Sequence, residues 1–206
     1  MRHFPWLALG ILVVAGGLAA EAPKMDSKTR QSTEVLKLDG WQKAHRFVYW
    51  YNNRTGEPVP QSAPRALVRY DAENLYFHLA DGASGGGWEI HIAEYNDRGN
   101  LTIVRVDGND KVQTLDQARR RGGMPTGTPQ PATENIAVVK RIEDGKALEV
   151  AVPIRRIFPK QPGKVAFFNL FHIVPGEPPA ILAWNPTFDD DRRTLPWRLG
   201  RGVILE

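Results

Sequence analysis

Two side chains that can do chemistry, Glu89 and His91, alternate with apolar residues in the stretch WEIHIA. Residues two apart in a β-strand point to the same side, so Glu89 and His91 share one face. The other face carries Trp88, Ile90 and Ile92, and we expect it to lie in the core while the polar pair stays outside. A carboxylate beside an imidazole could serve as a catalytic acid and base, provide half of a metal site, or form a wall that binds a ligand.

No known catalytic motif accompanies this pair. The chain has no G-x-S-x-G, no H-E-x-x-H, and no phosphate- or dinucleotide-binding glycine motif. Glycosidases need two positioned carboxylates, and no second acid is evident beside Glu89 on a neighbouring strand. His78, His91 and His172 stand singly in predicted strands, a pattern more typical of packed or exposed histidines than of metal ligands. We therefore predict a binding wall and no enzyme.

The elements that must hold this wall are predicted β-hairpins. Four pairs of apolar or alternating segments are joined by turn residues. They are ALVRY and LYFHLA around DAEN, WEIHIA and LTIVRV around EYNDRGN, NIAVVKRI and ALEVAVPI around EDGK, and KVAFFNLFHIV and AILAW around PGEPP, with GVIL closing the chain. Helical periodicity is almost absent. The pattern predicts an all-β fold, an antiparallel β-sandwich of jelly-roll type.

One internal segment departs from the hairpin pattern. Residues 107–133 are rich in Gly and Pro and contain an arginine triplet. Segments of this composition form loops, and long loops in compact domains are often functional or disordered. We expect a long exposed loop here, with one helical turn at TLDQARR.

The N-terminus predicts export. Residues 1–20 have a basic start, an uncharged apolar middle and small residues before Glu21, which is typical of a secretory signal peptide. We expect cleavage after Ala19 or Ala20; an uncleaved anchor is the alternative. A linker over 21–33 and one β-sandwich domain over 34–206 would follow. The mature protein is expected in the periplasm or secreted, without stable membrane insertion.

Composition narrows the chemistry further. The chain has no cysteine, which excludes disulfides and thiolate metal sites. The formal net charge is +4, from 27 basic and 23 acidic residues, and falls short of a nucleic-acid footprint. We expect no nucleic-acid partner, and the composition leaves the oligomeric state open.

The order of the motifs resembles family 9 carbohydrate-binding modules and their DOMON-like relatives. The motifs are LDG, VRYDAENLYFHL, WEIHI, ALEVAVPI, GKVAFFNLF, AWNP and RLGRGVIL, and together they run from about Leu38 to the chain end. The resemblance implies a β-sandwich that binds sugars in secreted or periplasmic proteins, often in support of glycan degradation. The resemblance also implies an alternative function, because a related branch of DOMON-like domains binds haem and carries electrons.

The resemblance implies a saccharide site formed by Glu89, Arg105 and Trp197, with Trp197 as the aromatic plate. His91 joins this set because it shares the face of Glu89. The sequence departs from the family pattern before the central glutamate, where Gly85–Gly87 replace an aspartate pair, and the preceding loop lacks the expected tryptophan. The alternative is a plain cross-strand ion pair between Glu89 and Arg105 on a solvent-facing strand side.

Two cofactor alternatives stay open, although no cofactor is expected for a saccharide-binding domain. The stretch FDDDRR offers Asp189, Asp190 and Asp191 to a calcium ion, which prefers oxygen ligands. Under the haem alternative, Met124 would be one axial ligand, with His91 or His172 as the other.

Overall fold

The computed structural model of this chain describes residues 24–26, 30–59, 64–80, 86–93, 100–109, 111–118, 126–144, 146–157, 165–189 and 199–205. Strands are the main regular structure of these residues, and their only helix is the single turn α1, Ile154–Ile157. The strands are β1 Ser32–Lys37, β2 His45–Arg46, β3 Tyr51–Asn52, β4 Arg65–Tyr70, β5 Asn74–Ala80, β6 Gly87–Ala93, β7 Leu101–Val106, β8 Val112–Gln117, β9 Gln130–Pro131, β10 Val138–Ile142, β11 Ala147–Pro153, β12 Val165–Val174, β13 Ala180–Ala183 and β14 Gly200–Leu205.

The four predicted hairpins are present. Antiparallel pairs form between β4 and β5, β6 and β7, β10 and β11, and β12 and β13. In the turn between β10 and β11, Glu143 and Asp144 take φ angles of 53° and 54°. Tight hairpin turns require this left-handed backbone, which matches the right-handed twist of the strands they join. The predicted all-β fold is confirmed.

The first strand adds pairings that the hairpin pattern does not reveal. β1 lies between β14 and β4 and runs parallel to both. The described strands thus follow the order β10-β11-β5-β4-β1-β14-β12-β6-β7-β8-β9 in one mixed sheet, with β2 beside β4 and with β13 joining β12 to β3. β1 begins at Ser32, two residues before the predicted domain start. In the predicted linker, the Met25 N–H donates to the Gly56 carbonyl at 2.9 Å.

The sheet curls on itself near β1 and β14, so that β5 faces β12 across the main core. The Phe77 ring on β5 packs edge-on against the Phe168 ring on β12, with 5.4 Å between centroids. Gly202 allows the close packing of Phe168 and Val35 over β14, because a Cβ at that position would lie 2.6 Å from Phe168 and 2.8 Å from Val35. The two halves enclose one apolar core, which is the sandwich that the hairpins predict.

The predicted long loop over 107–133 is wrong in its central part. Residues 112–117 form β8, which pairs antiparallel with β7, and β9 pairs with β8 in turn. The two apolar residues of VQTLDQ, Val112 and Leu115, are three apart and lie on opposite sides of the strand, where Val112 packs against the main core and Leu115 is buried. Backbone pairing with β7 satisfies its polar groups, so the expected helical turn does not form at TLDQ. Residues 119–125, which include Met124, lie outside the described residues.

The predicted signal peptide also lies outside the described residues. Within the ranges given above, no helix has the length and apolar character that a membrane crossing requires.

Candidate functional site

The strand that carries Glu89 and His91 is buried on both sides. Trp88, Ile90 and Ile92 point into the main core, as expected. The expectation that Glu89 and His91 lie outside is wrong, because they are only 1% and 2% exposed. β6 is a central strand of its half, held between β12 and β7.

A second, smaller apolar cluster explains this burial. We call the side of β6, β7, β8 and β12 that faces away from the main core the outer face. By register, His91, Ile103 and Leu115 lie side by side on it, next to Ala93 and Leu101. These four apolar residues form a buried cluster with Leu199, and Phe167 packs against it. The WEIHIA pattern identifies the two sides of the strand, but it carries no information on whether the second side is covered.

Glu89 is the centre of a polar group on the outer face. Arg105 Nε donates to Glu89 Oε1 at 2.7 Å across the β6–β7 hairpin. His91 Nε2 lies 3.2 Å from Glu89 Oε2, and the His91 ring packs against the Phe171 ring at 4.7 Å. A buried carboxylate is costly unless it is paired and hydrogen-bonded, so these contacts stabilise Glu89 in its position. The structure thus brings three of the four predicted site residues together.

The group reaches the surface through Arg105. Its side chain is 40% exposed, against 2% for Glu89. Gln113 on β8 is the register partner of Arg105 and is exposed, and Ile173 on β12 is partly exposed beside Gly87. A guanidinium presents planar N–H donors and an amide presents both a donor and an acceptor. This edge of the outer face can therefore bind neighbouring hydroxyl groups.

Sequence reasoning missed Gln113 and Phe171. Gln113 lies beside Arg105 only because VQTLDQ forms a strand, and its two apolar residues, three apart, do not show the alternation that would predict one. Phe171 reaches Glu89 and His91 only through the pairing of β12 with β6, which lie far apart in sequence. No local pattern indicates such a pairing.

Four further residues belong to the predicted saccharide and calcium sites. Trp197, Asp190 and Asp191 lie outside the described residues. The Asp189 carboxylate accepts a hydrogen bond from Thr187 Oγ1 at 3.0 Å. Within the described part of the chain, no group of three or more His, Asp or Glu could hold a metal ion. Calcium binding by Asp189 and its neighbours stays a prediction.

The two histidines of the haem alternative, His91 and His172, lie on opposite faces of the sheet. His91 is engaged by Glu89 and Phe171 on the outer face. His172 lies on the opposite face, where its ring packs 4.6 Å from that of Trp88. A Cβ at Gly86 would lie 2.8 Å from His172 Nε2, so backbone already occupies that side of the ring. Haem binding with Met124 stays a prediction.

A second polar cluster lies on the other half of the sandwich. Trp41 Nε1 donates to Glu149 Oε2 at 2.9 Å, and Lys140 Nζ lies 2.8 Å from Oε1. The Arg69 guanidinium sits between the Tyr76 ring at 3.9 Å and the Trp41 ring at 4.8 Å. The pKa of Glu149 lies below its usual value. Burial alone would raise it, but hydrogen bonds from Lys140 and Trp41, together with the charges of Lys140 and Arg69, outweigh that effect. The cluster holds the Trp41 loop onto the sheet.

Solved structures of carbohydrate-binding proteins share this fold. A family 9 carbohydrate-binding module from Caldicellulosiruptor kristjanssonii in complex with cellotriose is 11% identical, with a TM-score of 0.55 over 84% of this chain and 93% of that one. The module from this organism in complex with glucose gives 13% identity and a TM-score of 0.52, over 85% and 96%. A Bacteroides uniformis protein to which carbohydrate binding is ascribed gives 11% identity and a TM-score of 0.56, over 86% and 100%.

No protein-family model and no curated protein matches the chain. At these identities the likeness lies in the fold. The predicted resemblance to family 9 carbohydrate-binding modules is confirmed at that level.

Proposed function

We propose that this chain is an exported, non-catalytic domain that binds a saccharide on the outer face, beside Glu89 and Arg105. The observation that carries the proposal is the 2.7 Å bond by which buried Glu89 holds half-exposed Arg105 at the edge of that face. It stands on a fold shared with modules solved in complex with cellotriose and glucose. The predicted signal peptide supports export, and a role in glycan degradation follows from the resemblance.

The geometry suits sugar recognition because the donor is fixed before a ligand arrives. The bond to Glu89 uses Arg105 Nε and so sets the plane of the guanidinium. Its other N–H groups can donate to two adjacent hydroxyls, and the neighbouring Gln113 amide adds an acceptor. Preorganised groups lose less entropy on binding, which favours affinity.

The proposed site still needs an aromatic plate for the C–H face of the sugar ring. Phe171 is fully buried, so it does not supply that plate. Trp197 keeps this role as a prediction, because aromatic rings pack well against the apolar faces of ligands. His91 would act by orienting Glu89 rather than by touching the sugar, since it is buried beneath the edge.

Replacing Arg105 by lysine is expected to weaken saccharide binding roughly ten- to hundredfold. Lysine keeps the positive charge beside Glu89 but lacks the planar set of donors. Loss of one charge-assisted hydrogen bond costs about 1.5–3 kcal/mol, and each 1.4 kcal/mol is about a factor of ten. The measurement is titration calorimetry of the mature protein with the mono- and trisaccharides of glucose, xylose, mannose and galactose.

Arg65→Lys is the matched control. Arg65 also bonds a glutamate at 2.8 Å and is similarly exposed, at 44%, but it lies on the other half of the sandwich and pairs with Glu143. We expect it to bind sugar as the wild type does. The proposal fails if no saccharide of the panel binds the wild type. It also fails if Arg105→Lys binds the sugar as tightly as Arg65→Lys and the wild type do.

A further inference from the structure

A pocket of about 550 Å³ opens on the outside of the domain, beside the β12–β13 hairpin. One wall is the turn over residues 52–55 and the other is the segment over residues 178–181, and Asp189 completes the lining. Ligand pockets commonly have volumes of about 300–1,000 Å³. The pocket is therefore large enough for a ligand the size of a sugar.

One residue of the pocket wall, Ile181, lies on the same side of the sheet as Glu89 and Arg105. By register, Gly87 on β6 lies beside Ile173 on β12, and Ile173 lies beside Ile181 on β13. Both isoleucines are partly exposed, and Ile181 lines the pocket. Neighbouring strands lie about 4.8 Å apart, so β13 is roughly 10 Å from β6 across the sheet. An apolar strip thus leads from the edge of the proposed saccharide site to the pocket.

Side-chain hydrogen bonds fix the polar wall. Asn53 is buried, and its Nδ2 donates to Thr187 Oγ1 at 3.0 Å and to the Asp189 carbonyl at 2.7 Å. Asn52 Oδ1 accepts the N–H groups of Arg54 and Thr55 at 3.0 Å each, which shapes the turn. The pocket is accordingly part of the folded framework rather than a gap between loose side chains.

The two walls differ in chemistry. The residues of the hairpin wall, Pro178, Pro179, Ala180 and Ile181, are apolar, whereas the turn wall and Asp189 offer the Asn52 amide, a hydroxyl, a guanidinium and a carboxylate. A sugar unit presents C–H groups on its ring faces and hydroxyls around its rim. Apolar contact on one side and hydrogen-bonding groups on the other match that distribution.

We propose that this pocket is a second saccharide subsite, so that the outer face binds consecutive units of one chain across Ile173 and Ile181. The inference rests on the proposed function, because the first unit would lie beside Glu89 and Arg105. It adds that the ligand class is an oligosaccharide rather than a single sugar. Arg54, which is exposed, and Asp189 would contact the distal unit.

Replacing Ala180 by tryptophan tests the subsite by filling the pocket. Ala180 is exposed, so the larger side chain needs no space in the core. Wild type is expected to bind the trisaccharide of its preferred sugar at least tenfold more tightly than the monosaccharide. In Ala180→Trp the trisaccharide affinity should fall to that of the monosaccharide, whose own affinity should not change. Val138→Trp, at an exposed apolar position on β10, is the matched control and should bind both ligands as the wild type does.

A second variant, Arg54→Ala, removes the guanidinium without adding bulk. It should lower trisaccharide affinity alone, while Arg155→Ala, an exposed arginine on α1, should change neither affinity. Two results would overturn the subsite and leave the proposed function standing. One is that the wild type binds both ligands with equal affinity. The other is that Ala180→Trp and Arg54→Ala bind the trisaccharide as tightly as the wild type does. If no sugar of the panel binds at all, the proposed function fails and the subsite with it.

Discussion

Replacing Trp88 by alanine is expected to lower the free energy of unfolding by about 3–5 kcal/mol, the usual range for truncating a large core aromatic. The Trp88 side chain is 1% exposed, and its ring packs edge-on against that of Trp50 at 5.7 Å and against His172 at 4.6 Å. The truncation removes these contacts and leaves a cavity that the rigid sandwich can fill only in part. Urea denaturation of both proteins measures the difference.

Tyr49→Ala is the control for losing an aromatic ring. Tyr49 is close to Trp50 in the chain, but its side chain is exposed. Surface substitutions usually change stability by no more than about 0.5 kcal/mol. A loss below about 1 kcal/mol in Trp88→Ala would mean that this face of β6 does not lie in the core.

Replacing Glu89 by alanine is the second large change, and it should affect both stability and binding. Removing one partner of a buried ion pair typically costs about 3–5 kcal/mol, because the other partner is left without compensation. Arg105 is 40% exposed and becomes hydrated when its partner is removed, so we expect a destabilisation at the lower end of that range. Saccharide affinity should fall at least tenfold, since Arg105 loses the bond that orients it. Urea denaturation and titration calorimetry measure the two effects.

Glu34→Ala is the matched control, because Glu34 is an exposed glutamate in the middle of β1. It should leave saccharide binding unchanged and stability nearly so. Glu89→Gln keeps the shape and some hydrogen bonds, and we expect an intermediate loss of about 1–3 kcal/mol. If Glu89→Ala is as stable as the wild type, the carboxylate does not have the buried, paired environment that the structure shows.

The hairpins could be predicted because each depends on residues close in sequence. Alternation gave the two faces of β6, and turn residues such as Asp144 gave the connections. The Glu89–Arg105 pair follows from the same local register. β1 could not be placed, because its parallel partners β14 and β4 lie far along the chain and no turn links them. β8 could not be predicted either, because VQTLDQ does not alternate and glycines and prolines lie around it.

The environment of Glu89 was the less predictable part of the site. A period of two separates the sides of β6, but both sides can be buried when a second cluster covers the outer one. That cluster brings together Ile103, Leu115 and Leu199, which come from three separate segments. Burial of Glu89 therefore depends on the whole fold. As a consequence, the exposed side chain of the Glu89–Arg105 pair is that of Arg105.

Nuclear magnetic resonance of isotope-labelled protein during titration with its preferred trisaccharide tests the central claim most directly, because it reports where the sugar binds. The account predicts that amide shifts concentrate on Gly87 to Glu89, on Arg105 and on Gln113, with further shifts along Ile173 and Ile181. Amides of β5, β10 and β11, on the other half of the sandwich, should stay in place. Shifts centred on that half, around Trp41 and Glu149, or no shift at millimolar sugar, would contradict saccharide binding on the outer face.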